Sequence, residues 1–480
     1  MRSRRVPVLI AFGLLAGGAC AQGDAAEAEL PATGAFRRLA TFAVKGGIAE
    51  IVAASPDGRT LAFSDARGGR VGFVDLREPS LPVALPDVVT GGEPTSVSWH
   101  GDVVVAAVVA HGPEIGAAAP DPTVAANAGA LVVIDASVQS TPKELGRVAI
   151  GHQPDSVALL RRGADLVAIV CIENQPIVVD KGGVVLEDDR PGYPTGGASF
   201  PQDRSAPGLV QVVTLDLDDV AASRVVSVPL PAAALTAAGL RYPDDPQPEF
   251  VAVHGDTAAV TLQENNGMAL LDLRDPAAPT LVRVFSTGNA SERRTDLTED
   301  EAIDLAEGYP SSIGTRIPAP TDGGGAPVPG GPRQPDAIAW SADGAVLYTA
   351  DEGELDLTGG RGISAWSRDG EPVWDDAGEL ERAAAAAGLF PEHRAANRGI
   401  EMEGIATGRF GDREFAFALS ERGSFVAVCD LADPRRPRLV ELLPTGDSPE
   451  GVVAIPQRDL VVTADEGAGA LTIFRWVRPR

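Results

Sequence analysis

The stretch QPDAIAWSADGAVLYTADEGE, residues 334–354, combines an acidic residue, an alternating apolar run, a tight turn, a second apolar run and further acid. Looser copies are SPEGVVAIPQRDLVVTADEGAG (448–469) and QPDSVALLRRGADLVAIVCIENQ (153–175). Short apolar runs on either side of a turn, with a period of two or continuously apolar, predict β-hairpins. Hairpins that recur about every 40 residues are typical of a propeller or a solenoid.

The full repeat is clearest in EGIATGRFGDREFAFALSERGSFVAVCDLADPRRPRLVELLPTG (403–446), where turns at GD, ERG and ADPRRP separate four predicted strands. Copies begin near residues 47, 92, 152, 247, 333, 400 and 447. Seven four-stranded units predict an all-β fold, a seven-bladed β-propeller. The repeats resemble those of the YVTN/LVIVD type. The last copy lacks a fourth strand, and RRLATFAVKG (37–46) can supply it, so we expect the N-terminus to close the ring. An open solenoid would instead need capping repeats at both ends.

The N-terminus is predicted to be an export signal. Three arginines precede VPVLIAFGLLA, an apolar run too short to span a bilayer. Either signal peptidase cleaves after Ala21 or Cys20 receives a lipid, and we keep both alternatives. We expect export across the inner membrane to the periplasm, the exterior or a lipid-anchored position in the envelope. The predicted segments are a signal peptide at 1–21, a flexible stretch at 22–35 and a single propeller domain at 36–480.

Composition narrows the classes of partner. The net charge of the 480-residue chain is −27, and only three residues are lysine. A field of this sign repels nucleic acid and anionic membranes, and it attracts metal cations or basic ligands. Cys171 and Cys429 lie within predicted strands of different repeats, so we expect small buried side chains there rather than a disulfide. The sequence contains no nucleophile, P-loop or dinucleotide-binding motif.

The long insertions are predicted to share one face of the propeller. In a blade, the loop that enters the innermost strand and the loop between strands two and three open on the same face. Long loops on a rigid scaffold commonly carry function. Two of them predict helices: LTEDEAIDLAE has capping-box spacing from Thr298 to Glu301, and DDAGELERAAAAAGLF has Gly388 near its C-cap. The long loops are 111–128, 174–208, 231–247, 289–332 and 375–398.

Acidic residues recur at two positions of the repeat, both on that face. Where strand one begins, the seven copies have Glu50, Thr95, Asp155, Glu249, Asp336, Glu403 and Glu450. Where strand two ends, they have Asp65, His111, Glu173, Glu264, Glu352, Glu421 and Glu466. Like charges crowded at a channel mouth repel unless they are protonated, hydrogen-bonded or neutralised. A cation would neutralise them, and oxygen ligands alone favour Ca²⁺ ahead of Mg²⁺. Alternatively, the first set accepts backbone N–H bonds from neighbouring blades and the second set serves turn geometry.

Acid is doubled in two of the repeats, at Asp351 beside Glu352 and at Glu401 beside Glu403. Three nearby arginines, Arg361, Arg398 and Arg422, either hold a phosphate or carboxylate ligand or pair with the surplus acids. The candidate metal ligands are Asp155, Glu249, Glu264, Asp336, Asp351, Glu352, Glu401, Glu403, Glu421, Glu450 and Glu466.

Several of these segments, in order, resemble one family. IAEIVAASPDGRTLAFSD, QPEFVAVHGDTAAVTLQENNGMALLDL, RGISAWSRDGEPVWDDAGELE, NRGIEMEGIATG and DSPEGVVAI, with the opening stretch, are similar to the choice-of-anchor I family of secreted bacterial β-propellers. That family is similar to a mesenchyme-specific cell-surface glycoprotein, and some members are labelled alkaline phosphatase. The resemblance implies a seven-bladed propeller outside the cytoplasm. Family motifs carry over to Glu249, Glu264-Asn265-Asn266, Asp336, Glu352-Gly353-Glu354, Glu401, Glu403, Glu421-Arg422 and Glu450.

The sequence departs from the family pattern in two places. Met402 and Ile400 stand where the family tends to have proline, and no sorting signal follows the closing strand before Arg480. Display at the surface through such a signal is therefore not expected, and Cys20 remains the candidate anchor.

Two classes of function follow. The first is an exported binding scaffold, expected to be monomeric, whose acidic mouth holds Ca²⁺, a small cationic ligand or an extracellular protein. The candidate ligand-binding residues are Asn265, Arg361, Arg398 and Arg422. The second is a Ca²⁺-dependent phosphoesterase of the phytase type, in which carboxylates hold the metal and arginines hold phosphate. A lactonase on the same scaffold is a third alternative.

Overall fold

A computed structural model describes residues 34–110, 128–174, 178–179, 185–187, 208–305, 307–308, 331–353 and 360–478. The predicted repeats form seven antiparallel four-stranded sheets, so the seven-bladed β-propeller is confirmed. The predicted signal peptide, His111 and Glu354 lie outside the described residues. Neither helix of the described part has the length and apolar character needed to cross a bilayer.

Blades are numbered along the chain, and the strands of each blade run from the innermost outward. Blades 1 and 2 contain β2 (Val52–Ala54), β3 (Thr60–Asp65), β4 (Arg70–Asp75), β5 (Val83–Val89), and β6 (Glu93–His100), β7 (Val103–Val109), β8 (Ala130–Asp135), β9 (Lys143–Ala149). Blades 3 and 4 contain β10 (Pro154–Arg162), β11 (Asp165–Ile172), β14 (Leu209–Leu215), β15 (Arg224–Pro229), and β16 (Pro248–His254), β17 (Thr257–Leu262), β18 (Gly267–Asp272), β19 (Thr280–Ser286). Blades 5 and 6 contain β22 (Pro335–Trp340), β23 (Val346–Asp351), β24 (Gly362–Ser367), β25 (Pro372–Asp375), and β26 (Met402–Phe410), β27 (Arg413–Ser420), β28 (Phe425–Asp430), β29 (Arg438–Pro444). Blade 7 contains β30 (Pro449–Ile455), β31 (Leu460–Asp465), β32 (Ala470–Val477) and β1 (Ala35–Ala43).

Burial along the blades explains the sequence pattern of the strands. Strands β7 and β31 are buried at every residue, because each lies between the faces of two neighbouring blades. Such strands are continuously apolar, as VVVAAVV in β7 shows. The outer strand β5 (VALPDVV) is mostly exposed, and it is not continuously apolar. The core of the protein is therefore a set of apolar layers between blades.

The ring closes as the sequence predicted. Strand β1 pairs antiparallel with β32, so the N-terminal strand completes blade 7. The innermost strands of blades 7 and 1 are in contact, as are those of every other pair of consecutive blades. Phe36 on β1 packs edge-on against Phe410, Phe415 and Phe417 of blade 6, which adds an aromatic cluster at the closure.

Two of the predicted insertion features differ in outcome. Helix α2 (Glu379–Ala387) ends at Gly388, whose left-handed conformation (φ 71°) and N–H bonds to Ala384 and Ala385 confirm the predicted C-cap. The helix expected at 297–307 is wrong over its described residues, which form turns and extended backbone. The carboxylate of Asp296 accepts the N–H groups of Thr298 and Asp304 and holds the chain in that irregular course.

Shorter elements lie between the blades and within the insertions. Helix α1 (Ala232–Ala237) lies in the insertion before blade 4, and single 3₁₀ turns occur at Val220–Ala222, Glu392–Arg394 and Pro456–Arg458. Two small hairpins belong to the long insertions: β12 (Val178–Val179) pairs with β13 (Val185–Glu187), and β20 (Arg294–Thr295) pairs with β21 (Glu307–Gly308). Cys171 and Cys429 are buried and free, as expected.

Candidate cation site at the channel mouth

The ring position at the start of the innermost strand lies in a β-bulge in six of the seven blades. In blades 2 to 7 the pairing of strand one with strand two is interrupted where that residue lies, for example between Pro248 and Val251 and between Met402 and Ile405. A bulge leaves residues unpaired and redirects their side chains. Several of these strands begin with proline, which cannot donate to the ladder. The bulge therefore turns Glu249, Glu403 and their equivalents towards the axis of the ring.

Neighbouring blades meet through the backbone of the same residues. Thr95 Oγ1 donates to the carbonyl of Asp155 at 2.7 Å, and Ser156 Oγ donates to the carbonyl of Glu249. In blade 6 the residue after the acid is Gly404, where an added Cβ would lie 2.3 Å from the carbonyl oxygen of Glu450. These contacts use carbonyl groups of the acidic residues, so the acids are fixed in place by their backbone.

All seven ring positions line one cavity of about 340 Å³ at the axis. Nine of the fifteen described lining residues are Asp or Glu, and none of the fifteen is Lys, Arg or His. The cavity is therefore a strongly negative chamber, which we call the acidic mouth. Its lining residues are Glu50, Ile51, Glu93, Thr95, Ser96, Asp155, Ser156, Glu173, Glu249, Phe250, Gln263, Asp336, Glu352, Glu403 and Glu450.

The acids predicted at the end of strand two lie at or near the acidic mouth in most of the described blades, but not in all of them. Glu173 and Glu352 line the acidic mouth, and carboxylate oxygens of Glu264 and Glu421 lie within 4.8 Å of those of Glu249 and Glu403, respectively. Burial raises the pKa of Glu450, and the charge of Glu466 and a carboxyl–carboxyl hydrogen bond with it raise that pKa further.

Asp65 does not belong to that second position. It pairs with the first residue of β4, as Asp351 and Asp465 pair with the first residues of β24 and β32. Asp65 accepts the N–H groups of Ile48 and Gly68, and Asp465 accepts bonds from the Thr463 and Thr472 hydroxyls. Since successive residues of a strand point to opposite sides, a shift of one residue moves these carboxylates from the mouth into the blade.

Burial and mutual repulsion disturb the acids of the mouth. Burial, with the charges of Glu466 and Glu93, raises the pKa of Glu50 to about 9. Burial raises the pKa of Asp155 to about 7. Burial followed by the charges of neighbouring carboxylates raises the pKa of Glu249, Glu403 and Glu450 well above the usual value. Shifts of this direction indicate that the mouth favours a neutralising proton or cation.

Three sets of carboxylates have oxygens spaced as metal ligands are. In each set, one oxygen per residue lies within 4.8 Å of the others. Glu249 is only 8% exposed and lines the mouth, and its Oε2 has no hydrogen-bond partner among the described residues. A buried carboxylate oxygen without a partner is costly unless something neutralises it. The three sets are Glu173, Glu249 and Glu264; Glu352, Glu401 and Glu403; and Glu403, Glu421 and Glu450.

Arginines pair with the acids on one side of the mouth. Glu401 is fully buried and is paired with Arg394 and Arg398 at 2.7 Å and with Arg422 at 3.3 Å. Arg398 also contacts Glu352, whose other oxygen accepts a bond from Gln263. Arg398 and Arg422 therefore pair with acids, which is one of the two alternatives that the sequence left open. Arg394 was not predicted, although it precedes Glu401 by only seven residues.

None of the four predicted ligand residues is among the lining residues of the mouth, and five predicted metal ligands are not either: Glu264, Asp351, Glu401, Glu421 and Glu466. Asn265, Arg361 and Asp351 have partners elsewhere. Asn265 is fully buried; its amide donates to three carbonyls of the preceding loop, and its oxygen accepts the N–H of Gln247. Arg361 is fully buried and donates to Thr295 Oγ1 and to the carbonyls of Asp296 and Ala395, which fixes two insertions together. Asp351 pairs with Arg293 within the blade at 2.7 Å.

Several lining residues carried no signal in the repeat. Glu93 lies two residues before Thr95, and thereby supplies blade 2 with a carboxylate that its ring position lacks. Ile51 and Phe250 follow ring acids within the bulged segment and add apolar surface. Gln263 precedes Glu264 and contacts Glu352 of the next blade. Reading the two residues on either side of each repeated acidic position would have found all four.

Similarity to known proteins is found in the sequence profile and in the fold. The profile of the choice-of-anchor I domain matches residues 50–309 and 354–434, more than half of the chain. No curated protein matches the sequence. Among solved structures, Kuenenia stuttgartiensis hydrazine synthase has a TM-score of 0.51 at 13% identity, covering 91% of this chain and 97% of that chain. At this identity the likeness concerns the fold alone. The Cps50 (Swd1) β-propeller domain of Myceliophteria thermophila has a TM-score of 0.49 at 12% identity, covering 92% of this chain and 100% of that chain.

Proposed function

This chain belongs to the choice-of-anchor I family, and we propose that it is an exported binding scaffold whose acidic mouth holds a divalent cation, Ca²⁺ ahead of Mg²⁺. The observation that carries the proposal is the carboxylate set of blades 3 and 4, formed by Glu173, Glu249 and Glu264. Within it, Glu249 is buried, faces the cavity and has one oxygen that no described group bonds.

The chemistry of the ligands supports Ca²⁺. The set offers only carboxylate oxygens, and Asp155 and Asp336 lie close enough to raise the pKa of Glu249 by their charge. Hard cations take oxygen ligands, and Ca²⁺ accepts six to eight of them in flexible geometry, whereas Mg²⁺ demands a near-ideal octahedron. A ring of side chains from several blades, with room for water in about 340 Å³, fits the more tolerant ion.

Isothermal titration calorimetry on chelated, dialysed protein tests the proposal. Wild type is expected to bind Ca²⁺. The affinity for Ca²⁺ should be at least tenfold lower in Glu249→Gln, which keeps the shape of the side chain and removes its charge. Asp272→Asn is the matched control, since Asp272 pairs with Arg274 in a turn on the other face and should bind as wild type does. Absence of Ca²⁺ binding, or equal affinity in Glu249→Gln, would refute the proposal.

Hydrolysis of phosphate esters is the competing function. It requires arginines that can grip a phosphate, and Arg398 and Arg422 are paired with Glu352, Glu401 and Glu421. The geometry thus favours binding over turnover. A phosphomonoester panel with Ca²⁺ separates the two, because turnover that disappears in Glu352→Gln and Glu403→Gln would support the phosphoesterase instead.

A further inference from the structure

We propose that the acidic mouth holds two cations at separate centres, and that Glu403, Glu421 and Glu450 form the second, in blades 6 and 7. This inference rests on the proposed function for the kind of ion, and adds a site of its own. The two centres share no residue: the first is built from blades 3 and 4.

The second centre repeats one pair of ligands of the first. Each centre combines a ring acid with the acid that follows strand two of the same blade, Glu403 with Glu421 here and Glu249 with Glu264 there. Equivalent positions of a repeat have equivalent backbone geometry, so this pair recurs. The third carboxylate is not equivalent, because Glu173 follows strand two of the preceding blade, whereas Glu450 begins strand one of the following blade.

A buried oxygen points to an ion at the second centre as well. Glu421 is 4% exposed, and Arg422 Nη1 pairs with its Oε1 at 2.6 Å. Its Oε2 belongs to the buried atoms that have no hydrogen-bond partner among the described residues. The arginine therefore orients this carboxylate. Glu421 also lies within hydrogen-bonding reach of the Glu403 carboxyl, so the two carboxyl groups can hold either a shared proton or a cation between them.

Blade 5 separates the two centres. Its strand-two acid, Glu352, is held by Gln263 from blade 4 and by Arg398. The third carboxylate set, which contains Glu352, Glu401 and Glu403, has the same spacing but already receives the guanidinium groups described above. Guanidinium groups neutralise that set in place of a metal, so the structure accommodates two ions rather than three.

The charge around each centre predicts the order in which the two centres fill with Ca²⁺. Arg398 and Arg422 lie next to the second centre and repel a cation there. The set around Glu249 also has the charges of Asp155 and Asp336 beside it. We expect the first centre to fill at lower Ca²⁺ concentration than the second.

Equilibrium dialysis with Ca²⁺ measures the number of ions per chain. Wild type should bind two Ca²⁺ ions, and Glu450→Gln and Glu249→Gln should bind one each. The ion that Glu249→Gln loses should be the more tightly bound of the two. Glu403→Gln is the second variant for the second centre, and should also bind one. Glutamine preserves side-chain shape and removes a repelling charge, so each chelated variant should melt no lower than chelated wild type.

The outcomes separate this inference from the proposed function. One ion in wild type that survives Glu450→Gln and Glu403→Gln but disappears in Glu249→Gln overturns the second centre and leaves the proposed function standing. One ion that disappears in Glu450→Gln and survives Glu249→Gln overturns the two-cation inference and the first centre, and leaves a single centre in blades 6 and 7. No bound ion overturns both.

Discussion

Raising the pH should destabilise the chelated protein, because the acids of the mouth must lose protons at close range. Burial and neighbouring carboxylates raise the pKa of Glu50 from 4.5 to about 9, and burial raises that of Asp155 from 3.8 to about 7. A carboxyl with a higher pKa in the folded chain binds its proton more tightly there than in the unfolded chain. Its contribution is complete below the unfolded pKa and is lost as the pH rises through the folded pKa.

The size of the effect follows from the linkage relation. Each pH unit within the window lowers the free energy of unfolding by about 1.4 kcal/mol per carboxyl. Over its whole window Glu50 would account for about 6 kcal/mol and Asp155 for about 4 kcal/mol. The two losses overlap, since the charge of Asp155 is one of the causes that raise the pKa of Glu50. A loss of several kcal/mol is large beside the roughly 5–15 kcal/mol that stabilises typical proteins.

Urea unfolding followed by tryptophan fluorescence, in chelator at pH 5 to 9, measures this loss. The free energy of unfolding should fall across the series for wild type, and fall less steeply for Glu50→Gln, which cannot ionise. Saturating Ca²⁺ should restore stability most at high pH, by about 2.7 kcal/mol at a hundred times its dissociation constant. Stability that is flat or rises with pH in chelator would refute the reasoning, as would an equal slope in Glu50→Gln.

Two further predictions concern the scaffold. Arg293→Met should cost about 3–5 kcal/mol in the same urea assay, because it removes the guanidinium that pairs with the buried carboxylates of Asp351 and Asp376. Arg274→Met, which breaks an exposed pair, should unfold close to wild type, and equal losses in the two variants would contradict this. Deleting strand β1 should open the ring, and we expect a broader urea transition and faster proteolysis of blade 7; an unchanged cooperative transition would show that closure by β1 is dispensable.

Most of the fold could be predicted because its determinants are local. Alternating or continuously apolar runs mark strands, turns with Gly or Asp mark their ends, and a period of about 40 residues marks blades. The closing strand was predictable from the fourth strand that the last copy lacks. The helix expected at 297–307 failed because its capping-box spacing competes with Asp296, whose carboxylate binds two backbone N–H groups of that segment.

The ring of acids was predictable for the same reason, and the details of the site were not. Repeats place equivalent residues at equivalent points, so one acidic position implies a ring. Whether a carboxylate faces the mouth or the blade depends on a single residue of register, which is where Asp65 was misplaced. Which arginine meets which acid depends on insertions that return from far along the chain, as Arg293 does to Asp351 and Asp375. No periodicity in the sequence encodes such contacts.

The asymmetry of the mouth is the feature that most needs a functional explanation. A ring that served only to join blades would not need carboxylates, because the joints use the backbone carbonyls of Asp155 and Glu249 and close approach at Gly404. The protein places arginines in blade 6 and in the insertion before it, where Glu401 alone meets three guanidinium groups. It leaves Glu249 with an oxygen that no described group bonds, in a chamber where burial and repulsion raise its pKa. The fold can place arginines beside these acids and does so on one side only. The acids on the other side are therefore available to bind a mobile cation.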